Sequence, residues 1–298
     1  MFNKKSLSIF LLLIASIAIS FGGLIMRNIE VANAWQIIFY RSLFFSISIL
    51  TIIIFQNRNS LFKTIKNVGY PGVMGAVFYT FANIAFVHAF ANTTVANSLF
   101  TLSSIPFITA TLAFFFLNEN ISKRTISIMF VALLGIIIMI SEGLALGQIY
   151  GNVMALVTAV SFSCFTIIIR KYRAVDMLPT ILIGGIIILS VTFFTSLGNL
   201  RIPLNEIFLC FLWGGVLSGC VNYIFIYATR FLYASSVTFF MLFEFALGPF
   251  WVWIFLNETI TRNTFYGGIL VMVSVFIYSV IEVFISRKKI QKGRINLH

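Results

Sequence analysis

Charge is the scarcest property of this 298-residue chain: Asp, Glu, Lys and Arg supply 9% of it, against about 25% in a soluble domain. With 60% hydrophobic residues and a mean hydropathy of +1.04, that excludes a soluble globular protein and leaves a polytopic membrane protein. Long polar stretches are also missing. The longest polar connection runs from about Gln56 to Val68, too short to fold separately, and no Gly-x4-Gly-Lys-Ser/Thr phosphate loop is present. An ATP-hydrolysing domain is therefore excluded, and any work the chain does is driven by gradients. Cysteine is rare. Cys164, Cys210 and Cys220 lie in or beside apolar runs without metal-ligand spacing, and read as small packing residues. Catalytic patterns are absent too: no His-Glu-x-x-His, no Gly-x-Ser-x-Gly, no clustered carboxylates. Neither an enzyme, nor a metal site, nor a cofactor is expected.

What the chain has in excess is Phe, 35 residues, and positive charge, +12 net. The basic residues sit in short loops rather than on a soluble face, so no nucleic-acid partner follows. Ten apolar runs are long enough to cross a bilayer as helices: Leu7–Met26, Ala34–Phe55, Gly69–Phe90, Val95–Leu117, Thr125–Ser141, Tyr150–Ile169, Pro179–Leu197, Ile207–Thr229, Ala234–Leu256 and Thr264–Ile285. They lack the period-two alternation of a membrane barrel. The first run resembles a secretory signal but has no clear Ala-x-Ala site, and is expected to stay as an uncleaved span. Assigned to alternate sides, sixteen basic residues fall on one face and three, Arg27, Arg201 and Arg262, on the other, with Arg41 inside a span. That asymmetry predicts cytoplasmic termini.

The order within the chain is repetitive. Phe-Leu-Asn-Glu occurs at Phe116–Glu119 and again at Phe255–Glu258, an offset of 139 residues that also places Gly75 on Gly214, Asn83 on Asn222, Phe86 on Phe225 and Ala89 on Ala228. Ten spans in two copies means five per copy, and an odd number turns the second copy upside down. The predicted fold is all-α: ten transmembrane helices as two inverted five-helix repeats, residues 1–145 and 146–298, the second with a basic cytoplasmic tail. Exchange of conformations between inverted halves yields alternating access.

Ten spans in this arrangement, Phe39-Tyr-Arg41 early in the second, the stretch Ala91–Glu119, and Leu-Asn-Glu closing the fourth and ninth together resemble the EamA-type branch of the drug/metabolite transporter superfamily. The resemblance covers Leu7 to about Ile285. It implies a bacterial inner-membrane carrier of small metabolites, often an exporter, with a central cavity lined by spans one to four and six to nine, and spans five and ten packed behind. In the second copy Ala228–Ser236 lacks the Asn-Thr-Thr run found in the first, so a symmetric site is not implied.

Candidate working residues follow from the cost of charge in a bilayer, at least about 2.5 kcal/mol at the centre. Glu244, midway along span nine, must be protonated, paired or facing water. It reads as a substrate-amine partner or proton-coupling group, or as a helix-to-helix hydrogen bond. Glu282 near a span end can snorkel. Arg41 lies about 10 Å from the external end of its span and Glu244 about 18 Å from the end of its own. The two are expected to gate or share a substrate, unless Arg41 serves packing alone. Asn83 and Asn222, the same position in both copies, either bond between helices or line a cavity. His88 could titrate or simply pack, and its repeat counterpart Tyr227 favours packing. Thr101, with Asn97, Ser98, Ser104 and Thr109, makes span four polar, and Pro106 interrupts it. Trp213 and Tyr79 are candidates to face the cavity, whereas Trp35, Trp251 and Trp253 suit an interfacial belt. Glu119 and Glu258 read as structural, beside Asn and Ser/Thr helix caps.

The expected protein is thus a carrier of an amino acid or related zwitterionic or neutral solute, with export favoured. A proton-coupled exporter of drugs or organic cations is the alternative, and an intramembrane enzyme or assembly factor a remote one. Its partners are the small solute, the lipid bilayer and candidate coupling protons, and it is expected to be a monomer or weak homodimer.

Overall fold

The computed structural model describes residues 4–56, 61–92, 98, 101–119, 122–140, 149–196, 198–256, 262–263, 265–267, 269–271, 273–278 and 280–281. Among the described residues every regular element is helical. In chain order these are α1 (Lys4–Ile19), α2 (Gly22–Arg27), α3 (Ala34–Gln56), α4 (Leu61–Asn67), α5 (Gly69–Asn92), α6 (Ile105–Leu117), α7 (Lys123–Ile140), α8 (Ile149–Lys171), α9 (Leu178–Thr195), α10 (Leu204–Cys210), a π-helical segment (Phe211–Ser218), α11 (Gly219–Thr229), α12 (Ala234–Phe240) and α13 (Leu242–Leu256). Among the described residues six helical stretches are long and apolar enough to cross a membrane: Lys4–Arg27, Ala34–Gln56, Gly69–Asn92, Ile149–Lys171, Leu178–Thr195 and Leu204–Thr229. Shorter apolar helices occupy Thr101–Leu117, Ala234–Glu244 and Phe265–Tyr278. Six is fewer than the ten runs read from the sequence because some runs are interrupted, as at Met241, or only partly described. Glu258, Glu282 and Asn97 lie outside the described residues.

The surplus of Phe faces outwards. Phe10, Phe55, Phe81, Phe114, Phe115, Phe116, Phe130, Phe193, Phe194 and Phe276 are exposed, as suits a lipid-facing surface. The interior instead holds many small hydroxyls that satisfy themselves within their own helices. Ser8, Thr158, Thr166 and Thr192 each donate to the carbonyl four residues earlier, at 2.8–2.9 Å. Burying such a group without a partner would be unfavourable in a medium that offers no water.

Small residues set the closest helix approaches, and they do so reciprocally across the repeat. A methyl on Gly75 of α5 would come 2.9 Å from Thr180 Cγ2 of α9, and one on Gly214 would come 2.9 Å from Arg41 Cα of α3. At the 139-residue offset Gly75 becomes Gly214 and Arg41 becomes Thr180, so these are one contact made twice. Ser46 and Gly185, themselves equivalent, meet each other directly between α3 and α9. Reciprocal pairs of this kind arise where two copies are related by a two-fold axis.

Two buried carboxylates tie the halves at opposite ends of the bundle. Glu206 is 2% exposed; its Oε1 accepts from the amides of Glu30 (3.1 Å) and Val31 (2.9 Å), and its Oε2 from Ala32 (2.9 Å). Gln36 and Tyr40, in the first turns of α3, donate to carbonyls at Asn199 and Leu200 beyond the end of α9, so α9 runs antiparallel to α3. The start of α9, and with it Arg170 at the end of α8, therefore lies at the other end. There Arg170 Nε donates to Glu119 Oε1 at 2.6 Å, its Nη1 donates to Thr229 O at 2.7 Å, and the Ala234 amide donates to Glu119 Oε2 at 3.0 Å. The first Phe-Leu-Asn-Glu copy has a physical account. Asn118 adopts a left-handed conformation (φ 52°) that ends α6, and turns Glu119 back towards α8 and α12. Ser122 then caps α7, accepting from the Thr125 amide at 3.1 Å.

The Arg170–Glu119 side chains are 7% and 10% exposed, whereas the second ion pair, Arg230–Asp176, is 35% and 31% exposed. Removing one member of a buried pair strands a charge, at about 3–5 kcal/mol, while an exposed pair is worth about 0–1 kcal/mol. Thermal unfolding of the detergent-solubilised protein is expected to place Glu119→Ala far below wild type and Asp176→Ala close to it; equal losses would show that the Glu119 network carries no special share of stability.

Candidate functional site

Mid-bundle, a cavity of about 110 Å³ collects side chains from both halves. By the same measure one water needs about 10–15 Å³, so the space admits several waters or a small organic solute. Arg41, Tyr79, Asn83, Trp213, Asn222 and Glu244 all line it. Ring and aliphatic walls come from Phe86, Phe162, Phe225, Leu102, Ile105 and Val221. Among the described residues α9 contributes nothing to the lining, although span seven was expected to.

Arg41 is held by uncharged groups. Its Nη2 donates to Asn83 Oδ1 at 3.3 Å, and its guanidinium lies over the Trp213 ring, 4.4 Å from the centroid, and over Phe86 at 5.5 Å. Aromatic faces attract a guanidinium by about 0.5–2 kcal/mol without neutralising it. Trp213 reaches this position from the π-helical turn Phe211–Ser218, where Gly214 lets the chain close onto the α3 backbone at Arg41. Single π turns recur at functional sites because they re-aim side chains. Apart from Gly214-Gly215, nothing in the sequence signals this one. Gly22 makes room for the indole, since a methyl there would sit 2.7 Å from Trp213 Nε1.

Glu244 enters the cavity from the first turn of α13, just past a helix break at Met241. α13 continues through Gly248-Pro249. Span one breaks as well, between α1 and α2 at Ser20-Phe21. The two breaks brace each other: Ser16 Oγ donates to the Phe240 carbonyl at 2.9 Å, Trp251 Nε1 donates to Ser20 Oγ at 2.6 Å, and Phe21 stacks on Trp251 at 4.3 Å. Trp251, assigned from sequence to an interfacial belt, is thus a bracket between helices. Among the described residues neither Arg41 nor Glu244 forms an ion pair within 4.0 Å, with each other or with any other residue.

Two sequence candidates lie elsewhere. His88 is 8% exposed and packs edge-on to Trp35 at 4.5 Å, with Nδ1 3.4 Å from Tyr150 Oη. Thr101 is not part of the lining; from its helix only Leu102 and Ile105 reach the cavity. Two hydroxyls of that segment are bonded within the protein, Ser104 Oγ donating to the Thr101 carbonyl at 2.6 Å and Thr109 Oγ1 to Ser163 Oγ at 3.1 Å. Ser218, which was not foreseen, does line the cavity. Among the described residues no group of three or more His, Cys, Asp or Glu could hold a metal ion.

A sequence profile of the EamA-like transporter family matches residues 6–141 and, a second time, residues 147–280. A protein of Rickettsia bellii (strain RML369-C) named S-adenosylmethionine uptake transporter is 22% identical over 245 residues, spanning 80% of this chain and 81% of that protein. A crystal structure with a TM-score of 0.73 covers 90% of this chain and 96% of its own at 11% identity, a likeness of fold.

Gly22 and its neighbour Gly23 provide a matched test of the Trp213 setting, because nothing lies within 4 Å of a methyl at Gly23. In a protein whose other three tryptophans are replaced by Phe, Gly22→Ala is expected to shift Trp213 emission and Gly23→Ala to leave it unchanged; identical spectra for both would show that Gly22 does not set the ring.

Proposed function

The chain belongs to the EamA-like transporter family, and on that premise we propose that it is an alternating-access secondary carrier of a small zwitterionic metabolite with an apolar or aromatic body. The observation that carries this reading is that Arg41 and Glu244 line one cavity and are left unpaired. Ionisable groups inside a membrane protein are usually paired, or else serve a substrate or ion path. A guanidinium held only by rings and an amide is suited to a carboxylate, and a free carboxyl group, once ionised, to an ammonium. The rings of Tyr79, Phe86, Phe162, Trp213 and Phe225 suit the remainder of such a solute. The Rickettsia protein's named solute, S-adenosylmethionine, has this chemistry: an α-amino acid head and an aromatic base. Its named direction, uptake, favours inward movement beside the export that the family resemblance suggested.

The reciprocal Gly75–Thr180 and Gly214–Arg41 contacts support two inverted five-helix repeats, 1–145 and 146–298, and so ten spans. The charge asymmetry supports cytoplasmic termini in a bacterial inner membrane. In that frame the Glu119–Arg170 tie closes the cytoplasmic end and the Glu206 tie the external end, and transport alternately loosens one and keeps the other.

The test is counterflow in proteoliposomes with labelled S-adenosylmethionine, L-phenylalanine and L-methionine. Losing one partner of a desolvated charge pair costs about 2–5 kcal/mol, so Arg41→Gln and Glu244→Gln are each expected to lower kcat/KM at least about thirtyfold. His88→Phe and Thr101→Val should stay within about threefold of wild type. Wild-type uptake by both charge variants, or no uptake of any zwitterion by the wild-type protein, would overturn the reading.

A further inference from the structure

Asn83 and Asn222 are equivalent in the repeat, and their amides are fixed in the same way. Asn83 Nδ2 donates to the Tyr79 carbonyl and Asn222 Nδ2 to the Ser218 carbonyl, both at 2.9 Å and both four residues back. Each bond turns the amide so that Oδ1 is left to accept. In the first half that oxygen takes the Arg41 guanidinium. In the second half the residue equivalent to Arg41 is Thr180, fully buried against Gly75 and too short to reach the cavity, and Asn222 Oδ1 accepts from no described residue. The residue equivalent to Tyr79 is Ser218, so a bulky ring in one half is replaced by a small hydroxyl in the other. Ser218 is 2% exposed, lines the cavity, and its Oγ has no hydrogen-bond partner. Such a group is unfavourable unless something in the cavity bonds to it.

From this broken symmetry we infer that Asn222 Oδ1, Ser218 Oγ and the Glu244 carboxylate form a subsite for a primary ammonium group, which the solute supplies where the first half supplies Arg41. Three acceptors match the three N–H bonds of an ammonium, two of them neutral and one able to carry the balancing charge. Arg41 lines the same cavity as these three groups, so one solute can meet both. The assignment rests on the zwitterion reading and adds which half binds which end.

Asn222→Asp and Asn222→Leu separate recognition from helix structure. Both lose the Nδ2 donor to Ser218 O, and only the aspartate keeps an acceptor. KM for L-phenylalanine and S-adenosylmethionine is measured by counterflow, together with inhibition by 3-phenylpropionate, which lacks the ammonium. Asn222→Leu is expected to raise KM for the zwitterions about tenfold or more, as for a lost bond to a charged group, and to leave 3-phenylpropionate inhibition within about twofold. Asn222→Asp should hold KM near wild type or lower it, and Ser218→Ala should raise it in the same selective way. Equal loss in Asp and Leu, or equal weakening of zwitterion and acid, would assign Asn222 to helix structure and overturn the subsite while leaving the carrier reading intact. A wild-type protein that moves no zwitterion defeats the carrier reading first, and the subsite falls with it.

Discussion

In a bilayer, a helix that breaks must find its lost hydrogen bonds in another helix, and the rest of this structure depends on that requirement. The cavity exists because helices break beside it: at Met241 before Glu244, at Ser20-Phe21, and near Ser104. Each break is made good from the other half. Ser16 of α1 serves the Phe240 carbonyl, Trp251 of α13 serves Ser20, and Ser163 of α8 serves the Ile105 carbonyl. Polar atoms that look like binding groups in the sequence are therefore often scaffold. Ser218 Oγ is among the buried polar atoms left without a partner, and it lines the cavity.

Scaffold and site obey different rules of symmetry. Packing positions are matched across the 139-residue offset, as Gly75 with Gly214 and Ser46 with Gly185. Phe86 and Phe225 are matched as well, but other lining positions are not: Arg41 corresponds to Thr180, Tyr79 to Ser218, and Trp213 rides on a π turn whose counterpart in α5 is ordinary α-helix. A symmetric scaffold can take two related arrangements, and the proposed asymmetric lining would hold a solute in one orientation in both.

Much of this was legible before the fold. The repeat showed where equivalent residues would lie, and hydrophobic runs with a lone Glu and a lone Arg marked the groups whose burial needed a reason. Asn83 and Asn222 stood out because a duplicated amide in an apolar helix is unusual. What could not be read is direction around the helix axis. His88 is polar and lies in a span, yet it packs between Trp35 and Tyr150, and Thr101 is not part of the cavity lining. The π turn has no compositional mark beyond paired glycines, so the aim of Trp213 was a guess from residue type. Glu206 and the Glu119–Arg170 pair join loops far apart in sequence, and no local pattern announces such contacts.

In the proposed carrier one cavity holds opposite, unpaired charge partners for the two ends of a zwitterion. Calorimetric titration of the detergent-solubilised protein with L-phenylalanine, phenethylamine and 3-phenylpropionate tests it most directly. Binding of the zwitterion is expected to be at least about tenfold tighter than that of either singly charged analogue, since each analogue forfeits one charge-assisted contact. An analogue that binds as tightly as the zwitterion would contradict it.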